Sequence, residues 1–363
     1  MAHRDFDATS SGTPPSTIEH GHQPSHAPSD HPELATAKVG VLVVNLGTPD
    51  ATNYWSVRRY LSEFLSDRRV VDYPRWLWQP LLQLVILSRR PFASGKAYRG
   101  IWNTERDESP LLTITRQQSE KLAADLHETY GDRVEVAFGM RYGNPSTEDA
   151  VRRLQARGCQ RIVFFPLYPQ YGSPTTATAC DQVFRTLMKL KWQPSIRTVP
   201  AYFADAGFQR ALAASVRETY EREDRPSVLV ASYHGVPKRF LTDGDPYYCQ
   251  CHKTTRLLKE RLGLADDEIV TTFQSKFGPA EWVGPATVDK VADLARAGHR
   301  HIAVISPAFA ADCIETLEEI EEEIRDSFMA AGGERFTYIP CLNDRDDHIA
   351  ALANIVRNEL AGW

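Results

Sequence analysis

Val228-Leu229-Val230-Ala231-Ser232-Tyr233-His234-Gly235-Val236-Pro237 decides the fold. Four apolar residues open it, a run that suits a buried strand, and Gly235 and Pro237 stop that strand. His234 is thereby placed at the carboxyl end of a strand, where open α/β sheets hold their ligands. An imidazole there can act as a base or bind a metal near neutral pH. A lone histidine is more often a satisfied structural residue, so this stretch takes its meaning from the rest of the chain.

On both sides of it, short apolar runs alternate with helical patterns. The runs fall at 39–46, 134–138, 161–168, 195–199, 227–233, 268–273, 302–306 and 336–340. They are rich in Val and Ile and seldom alternate cleanly, as in parallel strands covered on both faces. Helical patterns lie between most of them, at 114–128, 146–157, 207–222, 252–262 and 286–297. This order predicts an α/β protein with two similar doubly wound domains, each a four-stranded parallel sheet flanked by helices. The expected divisions are a polar tail at 1–37, a first domain at 38–195 and a second at 196–340 that carries His234 and Glu315. The segment 341–363 is expected to pack its helix, 346–360, back on the first domain.

The halves read as copies. A shift of 140 carries Pro145 to Pro285, Thr147 to Thr287, Asp149 to Asp289, Val151 to Val291, Leu154 to Leu294, Gly158 to Gly298 and Ile162 to Ile302. Any helix-to-strand unit favours some of these residues, but the agreement reads as one unit seen twice. A shift of 188 lays Asn45-Leu46-Gly47-Thr48-Pro49 on Tyr233-His234-Gly235-Val236-Pro237. Leu46 and His234 are then equivalent strand ends, one greasy and one carrying an imidazole, expected to face each other across a cleft.

The stretch 54–102 breaks the pattern and is the most apolar part of the chain, with Trp55, Trp76, Leu77, Trp78, Leu81, Leu84, Val85 and Leu87 among its residues. Residues 76–88 are too few to span a bilayer. Followed by Arg89 and Arg90, they suit a surface-lying segment or the lip of an apolar pocket; the alternative is a core helix over a sheet. Arg89 or Arg90 could hold the carboxylates of a flat apolar ligand in a fixed fork.

Composition sets outer limits. The chain has 363 residues, enough for two domains, and is 42% hydrophobic and 25% charged. A net charge of −5 gives no support for a nucleic-acid partner. Six scattered cysteines read as reduced thiols of a cytoplasmic protein. The tail, rich in Ser, Thr, Pro, His and Asp, is expected to be disordered. It lacks the apolar stretch of a signal peptide, and its acids argue against a transit peptide. His20, His22, His26 and His31 could gather a metal loosely, though a solvated tail is the simpler reading.

The second acid–base candidate lies in Asp312-Cys313-Ile314-Glu315-Thr316-Leu317, where a helix is expected to start close to Asp312. Asp312 and Glu315 match an N-cap and its N3 acid. Glu315, Glu319 and Glu323, four apart, would share one helix face. Such a row is usually solvated; turned into a cleft it needs cations or protons. Tyr142, Tyr168, Tyr171, Phe273 and Trp282 follow strands and could pack against a planar ligand. Cys249-Gln250-Cys251-His252 is weak support for a metal site without a second ligand pair. No G-x-G-x-x-G after the first strand, no P-loop and no G-x-S-x-G elbow is present, which removes the main support for nucleotide cofactors and serine-hydrolase chemistry.

Several stretches resemble the ferrochelatase family: Asn45-Leu46-Gly47-Thr48-Pro49, Phe138-Gly139-Met140-Arg141-Tyr142, Tyr168-Pro169-Gln170-Tyr171, Ser232-Tyr233-His234-Gly235-Val236-Pro237, Gly244-Asp245-Pro246-Tyr247, Phe273-Gln274-Ser275-Lys276-Phe277-Gly278-Pro279, Trp282-Val283-Gly284-Pro285 and Asp312-Cys313-Ile314-Glu315-Thr316-Leu317. They run in order from about 38 to 343. The resemblance implies insertion of Fe²⁺ into protoporphyrin IX with release of two protons, between two Rossmann-like domains. It implies that His234 and Glu315 are the catalytic and iron-site residues, with Glu319 and Glu323 a proton or metal path. Leu46 stands where the family sets an apolar or aromatic side chain against the opposite porphyrin face. Arg90, Tyr98 and Ser109 match positions that hold the propionate side in animal relatives; Arg141, Tyr142, Tyr168 and Trp282 match the pocket lining.

Two departures stand out. Cys313 occupies a position where animal members have histidine, and Ser173 one where they have a cluster ligand. No iron–sulfur cluster is therefore expected, the remaining ligands lying in an extension beyond Trp363 in those relatives. No cofactor is expected, with Fe²⁺ a substrate. The partners expected are porphyrin and iron, with a peripheral membrane contact as an option, in a monomer or weak homodimer located in the cytoplasm or against the inner membrane. A coproporphyrin III enzyme, a nucleotide-sugar transferase and a non-catalytic heme or metal carrier are the alternatives.

Overall fold

A computed structural model gives the structure of the chain and describes residues 37–278 and 280–363. The expected polar tail and its four histidines lie outside the described residues. Residues 38–363 form one compact unit.

Eight strands are present: β1 Lys38–Thr48, β2 Val134–Gly143, β3 Cys159–Pro166, β4 Ser195–Thr198, β5 Val228–His234, β6 Ile269–Gln274, β7 His301–Ile305 and β8 Arg335–Ile339. The helices are α1 Tyr54–Leu65, α2 Arg75–Leu81, α3 Leu87–Ile101, α4 Pro110–Tyr130, α5 Thr147–Ala156, α6 Thr178–Met188, α7 Ala206–Arg222, α8 Lys238–Thr242, α9 Tyr247–Leu262, α10 Thr287–Arg296, α11 Ile314–Leu317, α12 Arg325–Ala330 and α13 Asp346–Leu360. Each apolar run of the sequence is a strand. They make two all-parallel sheets of one topology, β2-β1-β3-β4 and β6-β5-β7-β8.

The central strands are buried on both faces, which explains their poor alternation. Val41 and Val43 of β1, with Leu229, Ala231 and Tyr233 of β5, enter one core shared by the halves through α4, α7 and α13. Leu42 and Val44 face a second cluster under α5 and α6, and Val228 and Val230 a third under α10 and α12. Successive strand residues point to opposite faces. Leu46 and His234 therefore fall on the same side of their strands, the side away from the shared core.

The repeated unit reappears in the hydrogen bonds. Met140 N donates to Pro145 O at 2.7 Å, and Phe273 N to Pro285 O at 2.9 Å. Four residues, 141–144, separate the first pair, whereas eleven, 274–284, separate the second. A π-helical turn follows the third strand of each half, at Ser173–Ala177 before α6 and at Glu319–Ile324 before α12. Helix α13 packs against α4, β3 and α7. Polar bonds tie the halves further: Gln118 Nε2 in α4 donates to Ala310 O at 2.7 Å, and Gln170 Nε2 to Thr254 Oγ1 at 3.0 Å.

Candidate active site

Strand β5 ends with His234 half-buried, and its Nδ1 lies 2.7 Å from Gly235 O. A carbonyl only accepts, so Nδ1 carries a proton, and in the neutral ring the lone pair lies on Nε2. Gly235 makes the turn after it. A Cβ there would lie 2.8 Å from Gln274 O and 3.1 Å from the Trp282 ring.

In the β5–β6 register His234 stands opposite Gln274. Gln274 is buried, and its Nε2 donates to Glu315 O at 2.7 Å. One residue thus links the imidazole strand to the first turn of the acidic segment. Neither Gln274 nor its neighbour Ser275 stands out as a candidate in the sequence, because neither titrates.

The acidic segment differs from the regular helix expected. Helix α11 is a single turn beginning at Ile314, and Cys313, not Asp312, is its N-cap. Thr316 supplies the reciprocal bond, its Oγ1 accepting from Cys313 N at 3.0 Å. The Asp312 carboxylate is buried and taken by other donors: Tyr338 Oη at 2.5 Å, Asn343 Nδ2 at 2.7 Å and Thr316 Oγ1 at 3.1 Å. Glu315 is consequently not the N3 acid of a cap. The π-helical turn then widens the helix, a feature frequent at functional sites.

Glu319 is tied down, accepting from Ser275 N at 2.6 Å and Ser275 Oγ at 2.5 Å. Glu323 is exposed. Glu318, which the four-residue spacing passes over, holds its proton more tightly than an ordinary carboxyl. Partial burial is the main cause, followed by the charges of Glu323, Glu322, Glu319 and Glu315. A depression of about 420 Å³ opens beside this row, lined by Gly100, Ile101, Leu317, Glu321, Glu322, Arg325 and Asp326.

From the other half, Leu46 is partly buried between the β1 outer cluster and the cluster of Tyr60, Leu61 and Tyr142. Gly47 has φ +112°, and a Cβ on it would meet Tyr142 O at 1.8 Å. Tyr60 Oη donates to Gly47 O at 3.1 Å. Tyr60 and Tyr98 are both buried, and their phenols are pushed up first by burial, with Glu315 a further cause. These two tyrosines bring the first half up to Glu315.

The remaining expected residues divide. Tyr168 is buried and Trp282 half-buried, and Tyr168 Oη and Trp282 Nε1 are both buried without a partner among the described residues. Arg90 is exposed on α3 beside Arg89. Tyr98 is enclosed beside Glu315 rather than displayed with Arg90. Ser109 is buried, and its Oγ caps α4 by accepting from Leu112 N at 3.2 Å. Arg141 pairs with Asp67 and donates to Thr178 Oγ1 at 2.7 Å; Tyr142 Oη donates to Asp67 at 3.0 Å. Arg141 and Tyr142 thus brace the loop after α1 from within. Cys249 is exposed and Cys251 buried, so the Cys-x-Cys pair does not converge. Among the described residues no group of three or more His, Cys, Asp or Glu is placed to hold a metal ion.

The stretch 54–102 forms α1 to α3 with a π-helical turn at Leu82–Ile86. No residue of α2 is buried, and Trp55, Trp76, Leu77, Leu84, Val85 and Phe92 are exposed. Helix α2 is therefore a surface element and not a core helix, while Val57, Tyr60, Leu61, Leu82 and Leu87 on its flanks form a small buried cluster with Tyr142. Among the described residues no helix is long and apolar enough to cross a membrane.

Comparison with known proteins establishes the family and the fold. The profile of the ferrochelatase family matches residues 38–360. A ferrochelatase of Rhodobacter capsulatus is 64% identical over 340 residues, covering 93% of this chain and 97% of its own. One of Rhizobium etli (strain CIAT 652) is 52% identical over 337 residues, covering 93% and 97%. Among solved structures, SirB from Bacillus subtilis with Fe³⁺ superposes with a TM-score of 0.52 at 12% identity, covering 89% of this chain and 96% of that one. At that identity the likeness is one of fold.

Proposed function

The chain belongs to the ferrochelatase family, and from that membership we propose that it inserts ferrous iron into protoporphyrin IX, releasing two protons and forming protoheme, the last step of heme biosynthesis. The observation that carries this reading is 64% identity to a ferrochelatase over nearly the whole of both chains.

The two pyrrole N–H protons point into a planar ring, shielded from metal and base alike. The ring has to bend and its protons need acceptors. In the proposed mechanism Leu46 and the rings of Tyr168 and Trp282 bind and distort the macrocycle, with strain of order 1–5 kcal/mol offset by contacts elsewhere on it. His234, through Nε2 of the neutral ring, accepts a proton or holds the arriving iron; Glu315 does the complementary job. Protons leave, or iron arrives, along Glu318 and Glu323, with Glu319 anchoring the row to Ser275. Arg90 offers its fork to the propionates. No cofactor and no iron–sulfur cluster enters this mechanism.

We also propose that the lip rests on a membrane surface from the cytoplasmic side. Its exposed aromatic and aliphatic residues support this, as do nine basic against three acidic residues in 54–102, within a chain of net charge −5. Flotation with anionic vesicles tests the contact: protein left at the bottom of the gradient removes it.

Anaerobic mixing with protoporphyrin IX and Fe²⁺, followed by absorption, tests the activity. A heme spectrum that forms with turnover is expected. Stoichiometric binding without turnover would make the protein a carrier, and faster turnover of coproporphyrin III would change the substrate.

A further inference from the structure

We propose that Gln274 is a positioning residue for iron insertion, holding the Glu315 turn in place against the strand that ends in His234; the inference rests on the ferrochelatase reading above. Gln274 is 3% exposed and ends β6 directly opposite His234. Its Oε1 accepts from Ser232 Oγ at 2.7 Å. Its Nε2 donates to Glu315 O at 2.7 Å and lies 3.3 Å from Glu319 Oε2. A carbonyl and a carboxylate only accept, so the orientation of the amide is fixed by its partners.

Behind Gln274 the polar chain continues inward. Ser232 Oγ lies 2.9 Å from Thr287 Oγ1, which lies 2.9 Å from Thr272 Oγ1. Ser232, Thr287 and Thr272 are all fully buried. Buried polar groups that satisfy one another in a chain specify one arrangement, because each lost bond strands its neighbour. This chain joins β5, β6 and the start of α10 to the acidic segment.

The acidic segment needs such an anchor. Helix α11 has one turn, and the π-helical turn follows within two residues of its end. Its own ladder is too short to hold Glu315 still. The donors from Gln274 and Ser275 reach it from the neighbouring sheet, from the His234 partner and the residue after it. In the other half the β2 residue level with Leu46 is Arg141, which donates to Thr178 Oγ1 at 2.7 Å, just after a π-helical turn of Ser, Pro, Thr and Ala that carries no carboxylate.

The test compares full-length wild type with Gln274→Leu and Gln274→Glu. In Gln274→Leu, kcat should fall about 10- to 100-fold, with the porphyrin KM within about twofold and the melting midpoint within a few degrees. Gln274→Glu separates positioning from packing. When protonated it can still donate to Glu315 O; when ionised it cannot, and it then faces the Glu319 carboxylate. His234, Glu315 and Glu319 are the titratable residues it meets. Its kcat should therefore drop as pH rises, over a range where wild type and Gln274→Leu do not. Unchanged kcat in Gln274→Leu, or an equal loss in both variants at every pH, overturns the inference. Should Gln274→Leu fail to fold, Ser232→Ala breaks the same chain one bond away and should lower kcat severalfold; unaltered turnover there overturns it too. A wild type that inserts no iron defeats the ferrochelatase reading instead. A crystal structure of Gln274→Leu then decides, an unmoved Glu315 main chain overturning the inference and a displaced one supporting it.

Discussion

Strands β1 and β5 occupy the centre of equivalent sheets and end in equivalent glycines, yet they deliver opposite chemistry. Gly47 and Gly235 each turn the chain where a Cβ would strike the carbonyl of the neighbouring strand, Tyr142 O and Gln274 O respectively. The residue before each glycine is aimed alike, and it is Leu46 in one half and His234 in the other. The same holds one layer out: both halves place a π-helical turn after the third strand, carrying hydroxyls at 173–177 and carboxylates at 319–324. On the proposed function, a duplicated scaffold has kept its geometry and divided the labour, one half supplying a greasy wall and the other an acid–base wall.

If that division is right, truncating the two equivalent residues should have unequal effects. His234→Ala should lower kcat by about 10²–10⁴-fold, the usual contribution of a positioned base, while porphyrin still binds. Leu46→Ala should cost severalfold and act mainly through KM. Steady-state turnover on both variants checks this; losses of similar size would break the comparison at its centre.

The glycines test the shared geometry. Gly47→Ala places a methyl 1.8 Å from a backbone oxygen at φ +112°, so the strand end must move. A loss of about 3 kcal/mol or more in denaturant stability is expected. Gly235→Ala meets its carbonyl at 2.8 Å, and its φ is not in the left-handed region. Its cost in stability should be smaller, with more of the effect on turnover because of the adjacent His234. Equal destabilisation would mean that the two turns are more alike than their φ angles and contacts indicate.

Much of this division is legible in the order of residues alone. Parallel sheets buried on both faces leave uninterrupted Val- and Ile-rich runs, and the repeat at 145–162 and 285–302 survives because Gly158 and Gly298 both hold positive φ after a helix. His234 and Glu315 are legible because each sits beside a strand or helix boundary. What escapes is whatever lies between elements. Asp312 has the right spacing to cap a helix, but tertiary donors from Tyr338 and Asn343, 26 and 31 residues away, claim it. Ser109 and Arg141 have the chemistry to meet a ligand, but a helix start and Asp67 take their polar groups. Gln274 carries no charge, so only its partners reveal its place.

Helix α13 belongs to neither repeat and closes the shared core, so acid should act there on the two halves together. His348 is fully buried, its Nδ1 donating to Asn343 O at 2.8 Å and its Nε2 without a partner among the described residues. Burial lowers its pKa from 6.5 to about 4. Between those values the unfolded chain binds the proton and the folded chain does not, so stability present above pH 6.5 is lost as pH falls toward 4. That amounts to about 2 kcal/mol by roughly pH 5. Denaturant midpoints measured from pH 8 to pH 5 should show the decline, and His348→Asn should flatten it. A slope unaltered in that variant would assign the acid sensitivity elsewhere.

The smallest effect concerns a contact with no counterpart in the repeat. Arg239, in α8 just beyond His234, reaches Asp72 after α1, with Nη1 and Oδ2 3.7 Å apart. Both side chains are about half exposed, at 46% and 50%, and an ion pair in water at that separation is worth at most about 1 kcal/mol. Asp72→Asn should therefore leave the denaturant midpoint nearly unchanged, and added salt should erase whatever difference remains. If the lip and the imidazole wall work independently, kcat should also stay within about twofold. A larger fall in kcat at unchanged stability would mean that this pair couples the lip to the His234 turn. The division of labour between the halves would then extend to control of access, since a contact too weak to hold the fold would be holding the mouth.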